Sequence, residues 1–193
     1  VEAVGRALCP ALGIAIPVGK DSLSMKTVWD EGGEQRAVTS PLTLVVSAFA
    51  PANDVRRGVT PALAADPQST LYLLDLGGGR RLGGSALAQV YGQLGDVAPD
   101  LDDPDVFVRG FDTVQSLLAE GWVQALHDVS DGGVLVTLAE MAFAGRAGVA
   151  VDLSLLAEAP LAAAFAGGAG GVIQARGENH EWAEGGFDVA RRA

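Results

Sequence analysis

WVQALHDVSDGGVLVTLAEMAFAG, residues 122–145, decides the fold. WVQALH reads as a short strand. VLVTLAEMAFAG places Leu135, Leu138 and Met141 at helical spacing and offers Gly145 as a stop. Between them HDVSDGG, 127–133, sets two aspartates and a serine before a glycine pair. A strand that runs through an acidic, glycine-rich turn into a helix is a frequent ligand position in folds of mixed strand and helix. Gly132 and Gly133 allow close backbone approach. The helix that follows offers free N–H groups and the positive end of its dipole. Asp128 and Asp131 suit Mg²⁺, which prefers carboxylate and phosphate oxygens, and Ser130 can donate to a phosphate. The plainer alternative is a decorated helix start, with Ser130 or Asp131 as the cap and His127 as a hydrogen-bonded, buried histidine.

Around this unit, strands and helices alternate. TLYLLDLG (70–77) reads as a strand and GSALAQVYGQLG (84–95) as a helix ended by glycine. DVAPDLDDPD is an acidic loop. VRGFDTVQSLLAEG puts Phe111, Val114 and Leu118 on one helical face. GVAVDL reads as a strand, LSLLAEAPLAAAFAG as a helix that Pro160 breaks, and GGVIQAR as the last strand. The class is therefore α/β or α+β, a sandwich of sheet and helices. Upstream, VEAVGRALCPALG reads as a helix ending at Gly13, and PLTLVVSAFA (41–50) as a strand buried on both faces. The proline-rich stretch 51–69 is a linker. The tail GENHEWAEGGFDVARRA (177–193) has no period and stays unassigned.

A second polar run, VGKDSLSM (18–25), raises the same question. Lys20 can neutralise a phosphate as a point charge. An extended backbone would put Ser22 and Ser24 on one face, either as a ligand wall or as a solvated strand edge. GGGRRLGGS (77–85) is either an anion cradle at the start of the Ser85 helix or a flexible connection.

Composition bounds these readings. Half the 193 residues are hydrophobic (49%), which supports a packed core, and the net charge of −11 argues against nucleic-acid backbone binding. The single cysteine, Cys9, rules out an internal disulfide and reads as buried. No apolar run approaches a membrane span of about 20 residues. The cytoplasm is the simple location. The chain starts mid-pattern and reads as part of something longer.

CPALGIAIPVGKDSLSMKTVW, TSPLTLVVSAFA and HDVSDGGVLVTLAEMAFAG resemble, in order and spacing, phosphoribosylformylglycinamidine synthase in its large single-chain form. The resemblance runs from Val1 to about Arg176. It implies the aminoimidazole ribonucleotide synthetase-like fold. Residues 1–57 would be the end of the second N-terminal-type (barrel) subdomain, 58–69 a linker, and 70–176 the second C-terminal-type α/β subdomain. It implies a ligase of purine biosynthesis that turns formylglycinamide ribonucleotide, glutamine-derived ammonia and ATP into the amidine, ADP and phosphate. ATP activates the formyl amide oxygen as an iminophosphate, and ammonia displaces phosphate. Implied cofactors are Mg²⁺ and ATP/ADP. Implied partners are the remaining synthetase half and a glutaminase domain of the same protein.

By the same resemblance Asp128 would ligate Mg²⁺ and Ser130 would contact nucleotide in an auxiliary, structural site. Gly19 would contact nucleotide, and Ser22 substrate. Lys20 stands where smaller relatives carry a metal-binding asparagine, which suits phosphate rather than metal. No residue matches the family's catalytic histidine, neither His127 nor His180, and Cys9 is not the glutaminase nucleophile. The expectation is a chain inactive alone, with a non-catalytic module carrying the auxiliary Mg–ADP site as the alternative. Selenophosphate and thiamine-phosphate enzymes share the superfamily, but GKDSLSM and AEMAFAG argue against them.

Overall fold

The computed structural model describes residues 2–20, 22, 24–154 and 156–176, and the backbone of 189–190. His180 and most of the tail lie outside the described residues, as do Asp21 and Leu23. The chain forms two compact units, Val1–Asn53 and Asp54–Ala193, each described by itself.

The first unit opens with a helical segment, π-wound over Glu2–Leu8 and continued as α1 (Cys9–Ala11). It ends where the sequence places its stop, with Gly13 in the left-handed region and Cys9 buried. Strands β1 (Lys26–Glu31) and β2 (Glu34–Thr39) pair antiparallel as a hairpin. Gly32 and Gly33 both take positive φ, the geometry of a two-residue turn whose twist matches the strands. Residues 41–50, expected as a buried strand, form none. Leu42 is 85% and Phe49 95% exposed. A strand is held by its neighbours, and among the described residues this stretch has no strand partner.

The second unit is an antiparallel sheet in the order β4-β5-β3-β6. Its strands are β3 (Ser69–Asp75), β4 (Val123–Asp128), β5 (Gly170–Arg176) and β6 (Val189–Ala190). β6 lies in the stretch left unassigned from the sequence. Both faces of the sheet are covered, which explains the unbroken apolar run Leu71–Leu74. Tyr72, Val123, Ile173 and Ala175 pack on one side with Leu117 of α3 (Pro104–Glu120). Leu73, Ala125 and Val172 pack on the other with Val134, Leu138 and Met141 of α4 (Gly133–Gly145).

Several expectations need correction. Phe111 is 55% exposed, and Leu135 is also exposed. The buried face of α3 carries Gly110 and Leu117, and that of α4 carries Val134, Thr137, Leu138 and Met141. At Gly110 the Leu76 side chain occupies the space a Cβ would take, 2.6 Å from it. Gly145 does not supply the left-handed cap of α4; Arg146 does, at φ 52°. Instead, a Cβ at Gly145 would lie 2.6 Å from the Leu63 backbone, so close approach requires the glycine there. GVAVDL is not a strand: Val149, Val151 and Leu153 cover the α4 side of the core without joining the sheet. The helix at 84–95 shrinks to α2 (Ala86–Val90), and Pro160 opens α5 (Pro160–Phe165) rather than breaking a helix. Proline is suited to a first turn because its missing N–H has no partner there in any case.

Residues 60–66, inside the stretch read as a linker, are tied to this unit. Leu63 is buried against α4. The buried Gln174 accepts from Ala64 N (2.8 Å) and donates to Ala64 O (2.9 Å) and Ser69 Oγ (2.7 Å). Asp66 accepts from Gln124 Nε2 (2.7 Å) and the Gln68 amide, and these bonds hold its carboxyl below the ordinary range. A depressed carboxylate contributes stability above its unfolded pKa and loses it as pH falls through the folded value.

Gln174→Leu leaves the Ala64 amide without its partner and lowers unfolding free energy by about 2 kcal/mol. Urea unfolding together with hydrogen exchange at Ala64 checks this; an unchanged exchange rate would contradict it. Asp66→Asn removes part of the stability lost on acidification below about pH 4 and leaves the slope at neutral pH unchanged. Urea midpoints measured across that range test the sign.

Candidate functional site: a cavity at one end of the sheet

The register brings three loops together. Asp75, the last residue of β3, pairs with Gly170, the first of β5; Gly171 pairs with Asp128, the last of β4. The segments 76–85, 129–132 and 166–169 therefore leave the sheet at one end. Leu76 N donates to Ala169 O (2.9 Å) and Val129 N to Gly170 O (3.0 Å), which extends the pairing into these loops.

They enclose a cavity of about 420 Å³ lined by residues 83–85, 99–101, 129–132, 165 and 167–169. Its polar side chains are Ser85, Asp100, Ser130 and Asp131, with no lysine, arginine, histidine or cysteine among the lining residues. Ser130 and Asp131 are exposed, and Gly132 is buried. The helix-cap reading of HDVSDGG is not what the structure shows. Gly132, at φ 91°, is the N-cap of α4, and no side chain caps that helix. A Cβ at Gly133 would sit 2.6 Å from the Phe165 backbone, which accounts for the second glycine. An uncapped N-terminus leaves first-turn amides without side-chain partners, at the positive end of the dipole.

The 77–85 loop is a braced connection. Arg80 pairs with Asp75 at 2.8 Å. Arg81 Nη2 donates to both oxygens of Asp102 (2.6 and 2.5 Å) and Nη1 to Asp100 O (3.3 Å). The Asp102 carboxylate raises the Arg81 pKa further. The Arg81 backbone also bridges to Gly167, and Gly83 N donates to Val97 O (2.8 Å). Ser85 caps its own short helix by accepting from Ala88 N (3.1 Å), which argues against the cradle reading for that helix. Sequence reasoning does not reach the part that 99–101 plays as a cavity wall. The available signal is charge: RR in one loop and DLDD in the other.

Asp128 stands one residue before the lining run, with its carboxylate 75% exposed. His127, part-buried, contacts Asp128 Oδ1 through Nδ1 (3.2 Å) and Glu140 Oε2 through Nε2 (2.8 Å). Gly19, Lys20 and Ser22 lie in the first unit, outside regular structure; Lys20 Nζ donates to Ser22 Oγ (2.9 Å). Ser22 and Ser24 are not on a strand, since β1 begins at Lys26. Among the described residues no group of three or more His, Cys, Asp or Glu side chains is arranged to hold a metal. No helix among them is long and apolar enough to cross a membrane.

Comparison with known families draws these features together. The model of the AIR synthase related protein, C-terminal domain, matches residues 68–187, more than half of the chain. The chain belongs to the AIR synthase related family. That match runs on into the tail beyond Arg176. A second model, the FGAR-AT PurM_N-like domain, matches residues 1–51. Among solved structures, T. maritima PurL complexed with FGAR is similar with a TM-score of 0.51 at 17% identity, over 74% of this chain and 23% of that one. At that identity the likeness is one of fold, and the chain spans about a quarter of that protein's length. The AIR synthase-like fold agrees with the resemblance read from the sequence, and so does the match of residues 1–51 to an FGAR-AT domain model.

Arg81→Ala frees the 99–102 wall from the glycine loop. Limited proteolysis at aspartates 96–103 then speeds up several-fold while the sheet stays folded, because an ion pair of this exposure contributes only about 1 kcal/mol. Unchanged cleavage would show that the wall is held by its backbone bonds alone.

Proposed function

We propose that this chain contributes a Mg²⁺–nucleotide site to an FGAR amidotransferase of purine biosynthesis, with Ser130 contacting nucleotide and Asp128 ligating the metal. The observation that carries this is the cavity where HDVSDGG, the glycine loop and residues 167–169 meet at the uncapped start of α4. The donor set fits such a ligand. Amides at a helix N-terminus favour phosphate oxygens, and the carboxylates of Asp100, Asp131 and Asp128 are hard oxygen donors of the kind Mg²⁺ takes. Asp128 stands one residue before the lining run, and its exposed carboxylate would hold the metal. When bound, Mg²⁺ would neutralise phosphate charge that the cavity, lacking Lys and Arg, leaves uncompensated.

In the whole protein the reaction is the ATP-dependent conversion of formylglycinamide ribonucleotide and glutamine-derived ammonia to the amidine. On this reading Gly19 contacts nucleotide, while Lys20 and Ser22 bind substrate or phosphate. The other synthetase half and a glutaminase domain complete the enzyme in the cytoplasm.

A second reading, that the Asp128–Ser130 site binds nucleotide without turning it over, is favoured by the lining itself. It offers no histidine, lysine or cysteine for general acid–base work. The two readings combine: a structural nucleotide site here, and chemistry elsewhere in the parent enzyme.

Isothermal titration of the full chain with Mg²⁺–ADP shows saturable binding that Asp128→Asn and Ser130→Ala each weaken about tenfold, the loss expected for one charge-assisted contact. Absence of binding, or variants that bind as well as the parent, would overturn the assignment. The chain alone forms no amidine from formylglycinamide ribonucleotide, ATP and ammonia; product above background would contradict the non-catalytic reading.

A further inference from the structure

We infer that Glu140 is a positioning residue for Asp128, acting through His127. This rests on the reading of Asp128 as a Mg²⁺ ligand. Asp128 closes β4 with an exposed carboxylate, and among the described residues the one side chain that its carboxylate contacts is His127. A carboxylate held by one neighbour is only as well oriented as that neighbour. His127 is fixed at its far side: Nε2 lies 2.8 Å from Glu140 Oε2, against 3.2 Å between Nδ1 and Asp128 Oδ1. Both neighbours are carboxylates, which only accept, so the two contacts are hydrogen bonds together when each ring nitrogen carries a proton; a ring flip would put carbon atoms where both nitrogens stand, and the pair then selects one orientation.

The same helix also fixes the Asp128 backbone. The buried Thr137 lies within hydrogen-bond distance of Asp128 O (3.2 Å) and Gly133 O (3.1 Å), its single proton serving either. Thr137 and Glu140 are three residues apart and so share a helix face. One face of α4 thus reaches back to the β4 terminus twice, once to the backbone and once, through the imidazole, to the side chain. Partners of this kind orient a ligating group without touching the metal. AEMAFAG thereby gains a role beyond core packing: Met141 is buried in the core, and the exposed Glu140 contacts His127.

The test is titration of the full chain with ADP, in Mg²⁺ and in EDTA, for the parent and for Glu140→Ala, Glu140→Gln and Asp128→Asn. Glu140→Ala lowers affinity about tenfold in Mg²⁺ and leaves affinity in EDTA unchanged, a split that general loosening of the fold would not produce. Glu140→Gln, whose amide oxygen still accepts from Nε2–H, recovers most of the loss. In the Asp128→Asn background, Glu140→Ala adds nothing further. If Asp128→Asn weakens Mg²⁺-dependent binding and Glu140→Ala does not, or weakens it equally in EDTA, the positioning role is wrong. If glutamine fails to rescue, accepting from Nε2–H is not what Glu140 contributes, which also overturns it. If Asp128→Asn itself changes nothing, or no ADP binds, the metal-ligand reading fails and takes this inference with it.

Discussion

Strand β5 is the element on which the second unit depends. Gly170–Arg176 pairs with β3 on one side and β4 on the other, and its side chains serve both cores: Val172 on the α4 face, Ile173 and Ala175 on the α3 face. Gln174, midway along it, also anchors the Ala64 backbone. β3 keeps one register with β5, and β4 does so from Ala125 onward, past an irregularity between Val123 and Ala125, so the strand ends are level where Asp75, Gly170 and Asp128 meet. The cavity is a consequence of that alignment. Segments 76–85, 129–132 and 166–169 leave the sheet at that end, and residues 99–101 join them from the connection into α3.

The glycines there divide into two physical kinds. Gly83 and Gly133 have no room for a Cβ, because the Val97 and Phe165 backbones stand about where it would go. Gly132 combines a left-handed backbone with the N-cap position, so that α4 begins without a side chain over its first amides. The acidic loop 99–102 closes the remaining side and is drawn in by Arg81. The charges therefore fall into two groups. Guanidinium groups brace the walls from outside, while carboxylates and hydroxyls face the interior. A cavity with this lining is suited to a ligand that brings its own cation.

Much of this is legible in the sequence. β3, β4, β5 and α4 occur close to where period and punctuation put them, α3 starts earlier, at Pro104 within the expected acidic loop, and residues 129–132 of HDVSDGG line a cavity. What fails does so for identifiable reasons. Residues 41–50 have the composition of a buried strand, but composition does not supply the neighbours that hold a strand. Leu135 and Phe111 sit at helical spacing from core residues, yet lie at the edge of the buried arc, and spacing alone does not locate its centre. The β1–β2 hairpin is absent from the sequence reading, although Gly32–Gly33 between TVWDE and EQRAV is a strong turn signal. Asp100 and Leu101 become wall residues through pairing with Arg81, a contact between loops 19 or more residues apart that no local pattern encodes. The Glu140–His127–Asp128 chain is hidden for the same reason: its members are adjacent or thirteen residues apart in sequence, and only the α4 packing angle makes them neighbours.

The most direct test of the central claim is amide chemical-shift mapping of the full chain as Mg²⁺–ADP is added. The largest saturable changes should fall on Gly83, Gly84, Ser130, Gly132 and Gly133, the amides at the cavity and at the start of α4. Changes confined to other parts of the chain, or no saturable change at all, would contradict it.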